Sequence, residues 1–110
     1  MKLIVKSLVI VTCLAFGTAL RAADAKENWD KQCKSCHGAD GKGQTTMGKK
    51  VGAKDYTDPK VQEAMKDDKA FKSIKEGMKE GDKEMMKPFA GKLTDDEIKA
   101  LISHMRTFKK

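Results

Sequence analysis

Apolar positions at helical spacing dominate the second half of the chain, and no stretch shows convincing strand alternation. The clearest element is "TDDEIKALISHMRTFKK". Ile98, Leu101, Ile102, Met105 and Phe108 form one apolar stripe, Thr94 and Glu97 form a capping box, and acids crowd the first turn. A helix is expected there. "DDKAFKSIKEGMKEG" puts Phe71, Ile74 and Met78 on one face of another helix, which stops at Gly77 or Gly81. "TDPKVQEAMK" opens with Asp58 as a cap and Pro59 at the first helical position. From Asp24 to about Lys34, Asp24 and Glu27 mark a helix start, and Trp29 and Cys33 share a face. "GADGKGQTTMGKKVG" is too rich in glycine for regular helix and reads as a loop wrapped round something. "DKEMMKPFAGKL", broken by Pro88 and Gly91, reads as a second loop. The fold class is all-α.

The first residues follow another logic. Lys2 and Lys6 precede an uncharged, mainly apolar run from Leu8 to Leu20, and small residues follow. That order is a secretory signal. The run of 13 residues is short of the about 20 that a membrane span needs, so the chain is not expected to be an integral membrane protein. Residues 1–22 are expected to be cleaved, leaving a single domain over 23–110, with a cut after Ala25 as the alternative. Cys13 leaves with the signal. The expected compartment is the periplasm, or a secreted or luminal equivalent.

Losing Lys2, Lys6 and Arg21 lowers the formal charge from +7 to +4 and leaves Arg106 as the one arginine. Acids and lysines alternate, which describes a solvated surface. A nucleic-acid binder would want arginine forks and exposed aromatic platforms, and neither is visible. An 88-residue domain also buries a low fraction of its surface and commonly needs a staple. No second cysteine pair is present to supply one, but a large apolar cofactor would.

The chemistry concentrates in "CKSCHG". Cys33, Cys36 and His37 suit three purposes: zinc, a dithiol redox centre, or covalent haem. Structural zinc wants four ligands, and beyond these three only distant His104 remains after the signal. A thioredoxin-like dithiol wants a strand–helix context that the pattern lacks. Haem c needs what is present: two thiols to add to its two vinyl groups, and an adjacent histidine to reach the iron. Export fits too, since free thiols would otherwise oxidise outside the cell.

"CKSCHG" after a short helix, the glycine loop, "MMKPFAGKLTDDEI" and the "IKALISHMRTF" helix together resemble a class I c-type cytochrome of the small soluble bacterial kind. The resemblance spans essentially residues 24–110. It implies short helices wrapped around one covalent haem, thioether bonds from Cys33 and Cys36, and His37 as the proximal iron ligand. It also implies that Trp29 packs against the last helix, where relatives carry an aromatic at the position of His104. The family's methionine, followed by a proline within two residues and an aromatic three residues on, is matched by Met86, Pro88 and Phe89. Met86 is therefore the expected second iron ligand, with Met85 the alternative and Met78, Met47 and His104 behind it. His104 is read chiefly as a packing or surface histidine. Tyr56 is either a neighbour of a haem propionate, as in relatives, or a plain half-buried tyrosine. Phe71, Ile74, Met78, Phe89 and Leu93 are expected to line the pocket.

The function implied is electron transport by a monomeric carrier that passes single electrons between redox partner proteins. Such partners are membrane electron-transfer complexes or terminal oxidases and reductases with acidic docking surfaces. Lys34, Lys83 and Lys87 are expected around the haem edge, and Lys60, Lys66 and Lys110 away from it. The alternative is a small haem enzyme, peroxidase-like, or a gas sensor with a displaceable ligand. It lacks a visible distal acid–base pair.

Overall fold

The computed structural model describes residues 24–110. The signal-peptide expectation for residues 1–22 lies outside them. Helix α1 occupies 24–37 of the described residues and is not uniform. It is α-helical over 24–28, widens to a π-helical turn at Trp29–Cys33, and is α-helical again at Lys34–His37. A wider turn of this kind is a recurrent device at functional sites. The helix stops at Gly38, whose φ of 80° suits glycine and whose N–H bonds the Lys34 carbonyl at 2.9 Å.

The glycine stretch that follows holds a short helix, contrary to the loop expected there. Helix α2, Thr46–Val51, is capped by the Thr45 hydroxyl and ends at Gly52 in the left-handed region. The glycines are there for close approach rather than flexibility alone. A Cβ on Gly48 would fall on the Cys36 carbonyl oxygen and 2.6 Å from the Gly43 oxygen. Thr45 Oγ1 also donates to the Cys36 carbonyl at 2.7 Å, so α2 is tied directly to the cysteine motif.

Helix α3, Pro59–Ala64, has the expected Asp58 cap and leading proline. Helix α4, Asp67–Glu76, ends at Gly77. There the chain departs from the all-α expectation. Strands β1, Met78–Glu80, and β2, Lys83–Met86, pair antiparallel across Gly81 and Asp82, so Met78 leaves the helix face and stands opposite Met86. The missed signal was the two-residue Gly-Asp loop, a known hairpin turn pair. Gly77 (φ 77°) makes the junction possible, because a Cβ there would lie 2.6 Å from the Met86 carbonyl oxygen. Helix α5, Asp95–Arg106, carries the expected capping box: the Glu97 N–H donates to Thr94 Oγ1 at 3.2 Å and the Thr94 N–H to Glu97 Oε1 at 3.0 Å. The architecture is mostly helical, with one small hairpin.

The core forms where α1, α4 and α5 meet. Ile98 and Leu101 are 0% exposed and Trp29 1%, with Ile74, Phe89, Leu93, Ile102 and Met105 around them. The Trp29 indole N–H donates to the Gly38 carbonyl at 2.9 Å, and its ring meets Phe108 at 5.0 Å and His104 at 5.8 Å. The expected docking of Trp29 on the last helix is therefore present. Trp29→Ala is expected to cost about 3–5 kcal/mol in denaturant unfolding, the usual loss for a buried aromatic. A loss below about 1 kcal/mol, typical of surface changes, would contradict this packing.

Candidate functional site

A cavity of about 800 Å³ opens between the end of α1, the hairpin and α5. Cys33, Cys36 and His37 reach it from α1; Tyr56 and Met65 flank α3; Ile74 comes from α4; Met78, Met85 and Met86 come from the hairpin. Phe89, Leu101 and Met105 complete the apolar wall. Helical pitch explains the first group. A residue and those three and four further on share a face, so Cys33, Cys36 and His37 arrive on one side of α1.

Both cysteines are free thiols, Cys33 buried and Cys36 partly so. Burial, with a smaller contribution from Cys36, pushes the Cys33 thiol up to about 12. A dithiol redox centre works through a lowered thiol pKa, so this environment disfavours that reading. Burial also lowers the His37 pKa, keeping the ring neutral with its lone pair available. His37 Nδ1 is buried and has no hydrogen-bond partner in the protein. The ring is held between Trp29 at 5.6 Å and Tyr56 at 5.5 Å.

These features fit a large iron macrocycle. Two unpaired thiols and one neutral imidazole stand on the wall of an apolar cavity within the roughly 300–1,000 Å³ range of ligand sites. Zinc fits poorly: among the described residues no three His, Cys, Asp or Glu side chains group as a metal site.

Met85 and Met86 both line the cavity, but only Met86 packs against the core. Met47 and Met78 line it too, and both are 50% exposed. His104 is not on the wall; its ring lies 5.8 Å from Trp29 and edge-on to Phe108 at 5.1 Å. Phe71 and Leu93 also depart from expectation. Phe71 borders a separate shallow depression beside Asp67 and Asp95, and Leu93 is in the core without reaching the cavity. Ile74, Met78 and Phe89 line it as expected.

Sequence reasoning missed Met65, Leu101 and Met105 as wall residues. Leu101 and Met105 belong to the α5 stripe, which could have been read as facing a cofactor. Met65 carries no local signal.

A helical domain that sets two thiols and a neutral imidazole on one apolar cavity has the build of a c-type haem domain. Residues 20–105 match the family model described as cytochrome c oxidase, cbb3-type, subunit III. The solved structure of Kustc0563 c-type cytochrome is 39% identical, with a TM-score of 0.71 over 79% of this chain and 99% of that one. A tyrosine-to-phenylalanine mutant of Kustc0563 is 38% identical, with a TM-score of 0.69 over 78% and 99%. No curated protein matches. The chain belongs to this cbb3-type subunit III family of small c-type cytochrome domains.

Proposed function

We propose that the chain is a one-electron carrier. Cys33 and Cys36 would hold one haem c through thioether bonds, and His37 and Met86 would ligate its iron. The observation that supports it best is the meeting of Cys33, Cys36, His37 and Met86, from two distant segments, on one cavity. When bound, haem supplies reversible one-electron exchange at its iron.

The chain's own residues do the rest. The Trp29 indole bond to Gly38 fixes the turn after His37, and the Trp29 and Tyr56 rings hold the imidazole between them. Ile74, Phe89, Leu101 and Met105 exclude water, which tunes the potential. As an iron ligand, the soft thioether of Met86 would favour reduced iron and raise the potential. Arg106, the arginine a distal acid–base pair could have used, is engaged behind α3 with Gln62 and Asp67. This favours a carrier over a peroxidase-like enzyme or a sensor.

The ferric absorption spectrum tests the reading. Low-spin iron with a sulfur-to-iron charge-transfer band is expected; high-spin iron without that band would favour the enzyme or sensor.

The family match makes an oxidase-type electron-transfer complex the favoured partner. Lys31, Lys54, Lys66, Lys69, Lys79 and Lys87 border the cavity, against only Glu80 and Glu84. The expected ring changes in detail: Lys87 is on it, Lys34 and Lys83 are not, and Lys66 is on it rather than remote. Long-range attraction from such a patch raises association rates and is screened within about 8–10 Å at physiological salt. Reversing Lys66, Lys69 and Lys87 to glutamate should slow transfer to a cbb3-type oxidase by roughly tenfold or more at low salt. Reversing Lys60, Lys92 and Lys110 should slow it less; equal slowing would mean that net charge alone matters. Among the described residues no helix is long and apolar enough to cross a membrane. With the leading segment read as a signal, a periplasmic, monomeric carrier is the proposed setting.

A further inference from the structure

Gln62 is the one buried polar side chain in the described core, 4% exposed. Its amide is engaged at both ends. Nε2 donates to the Tyr56 carbonyl at 2.6 Å and the Met105 carbonyl at 2.8 Å, while Oε1 accepts from Arg106 Nη1 at 3.1 Å. The guanidinium extends the cluster. Nη1 also donates to the Gln62 carbonyl at 2.6 Å, and Nη2 donates to the Met65 carbonyl at 2.5 Å and to Asp67 Oδ1 at 2.6 Å. Tyr56, Met65 and Met105 come from three different segments, yet all three line the cavity, and the carbonyls of all three converge on this one pair.

A cluster serving stability alone could grip backbone anywhere. This one grips wall residues, and one of them touches the candidate iron ligand: the Tyr56 ring packs on the His37 ring at 5.5 Å with 34° between their planes. The Tyr56 backbone is thus held at both ends, its N–H on the Gly41 carbonyl at 2.8 Å and its carbonyl on Gln62. Only a planar fork of donors serves Gln62, Met65 and Asp67 together, so a lysine at position 106 could satisfy part of the set.

We propose that Gln62 and Arg106 are positioning residues of the haem site, fixing the Tyr56–Met65–Met105 wall and, through Tyr56, the plane of the His37 imidazole. The inference rests on the electron-carrier reading for its haem readouts.

The test compares purified holoprotein of the wild type, Arg106→Ala, Arg106→Lys and Thr94→Ala. Thr94→Ala removes the α5 cap and serves as a control for lost stability alone. Two quantities are read: the midpoint potential, and the spread of the haem-methyl proton shifts in the ferric NMR spectrum, which follows the imidazole plane. Arg106→Ala is expected to lower the potential and change the methyl pattern, Arg106→Lys to recover part of both, and Thr94→Ala to lower only the melting temperature. Arg106→Ala that loses stability like Thr94→Ala but keeps the wild-type potential and methyl pattern overturns the proposal. Should Arg106→Ala not fold, Arg106→Lys decides, and wild-type values in both readouts overturn it. A wild-type chain without covalent haem would sink the carrier reading by itself. Amide exchange at Tyr56 and Met65 then judges the clamp: exchange about tenfold faster or more in the Arg106 variants supports it. Unchanged exchange overturns it.

Discussion

Replacing Cys33 and Cys36 together with alanine is expected to yield a chain that retains no haem after acidified organic solvent and folds poorly. The two thiols stand on one cavity wall and are free. Without the covalent links, only axial contacts and apolar burial would hold the group. The folding defect has a separate cause. The cavity of about 800 Å³ sits against Trp29, Leu101 and Met105, so the cavity wall and the core are continuous. A small domain has little other apolar surface to bury, and a group that binds only the folded state stabilises it by mass action. The measurements are the pyridine haemochrome spectrum before and after extraction, and a circular-dichroism melt. Wild-type protein that releases its haem on extraction would refute the covalent assignment. A double variant that melts like the wild type would show that the core stands without the cofactor.

What could be read from the sequence was what is encoded locally. The "CKSCHG" motif is contiguous, so helical pitch alone brings its side chains to one side. The α5 stripe, the Thr94–Glu97 box and Pro59 at the head of α3 are local as well, and each is present. The misses are tertiary or rest on weak local signals. Both strands of the hairpin are short, and β1 is exposed throughout, so no alternation of burial marks it. The helix at Thr46–Val51 was masked by the glycines around it, although Thr45 and Gly52 cap it locally; the close approach of Gly48 to the Cys36 carbonyl is a contact no local propensity encodes. Lys66 reaches the cavity mouth because the α3–α4 junction turns beside it, which charge counting along the chain does not reveal. His104, read as a packing or surface residue, has its ring 5.8 Å from that of Trp29.

Met86→Ala is expected to abolish the sulfur-to-iron band and lower the midpoint potential, while Met85→Ala leaves the band intact. Neighbouring residues on a strand leave it on opposite sides, so Met85 and Met86, although both reach the cavity, approach it differently. Met86 is the one packed against the core. Its position is also the better anchored. Gly77 lets the end of α4 lie against the Met86 carbonyl, and just downstream the Phe89 N–H bonds the Ile74 carbonyl at 3.0 Å and the Ala90 N–H the Lys75 carbonyl at 3.1 Å. The segment carrying Met86 is thus held against the end of α4 at Met86 and just downstream of it, which a ligand needs if its sulfur is to sit at one distance. Water or a harder ligand in its place would favour ferric iron. A fall on the order of 100 mV is expected, which at 59 mV per decade for one electron is a factor of about 50 in the ferric-to-ferrous ratio. Spectroelectrochemical titration of both variants gives the answer. Loss of the band in Met85→Ala with its retention in Met86→Ala would transfer the ligand to Met85. Retention in both would leave Met78, opposite Met86 across the hairpin, as the next sulfur to replace.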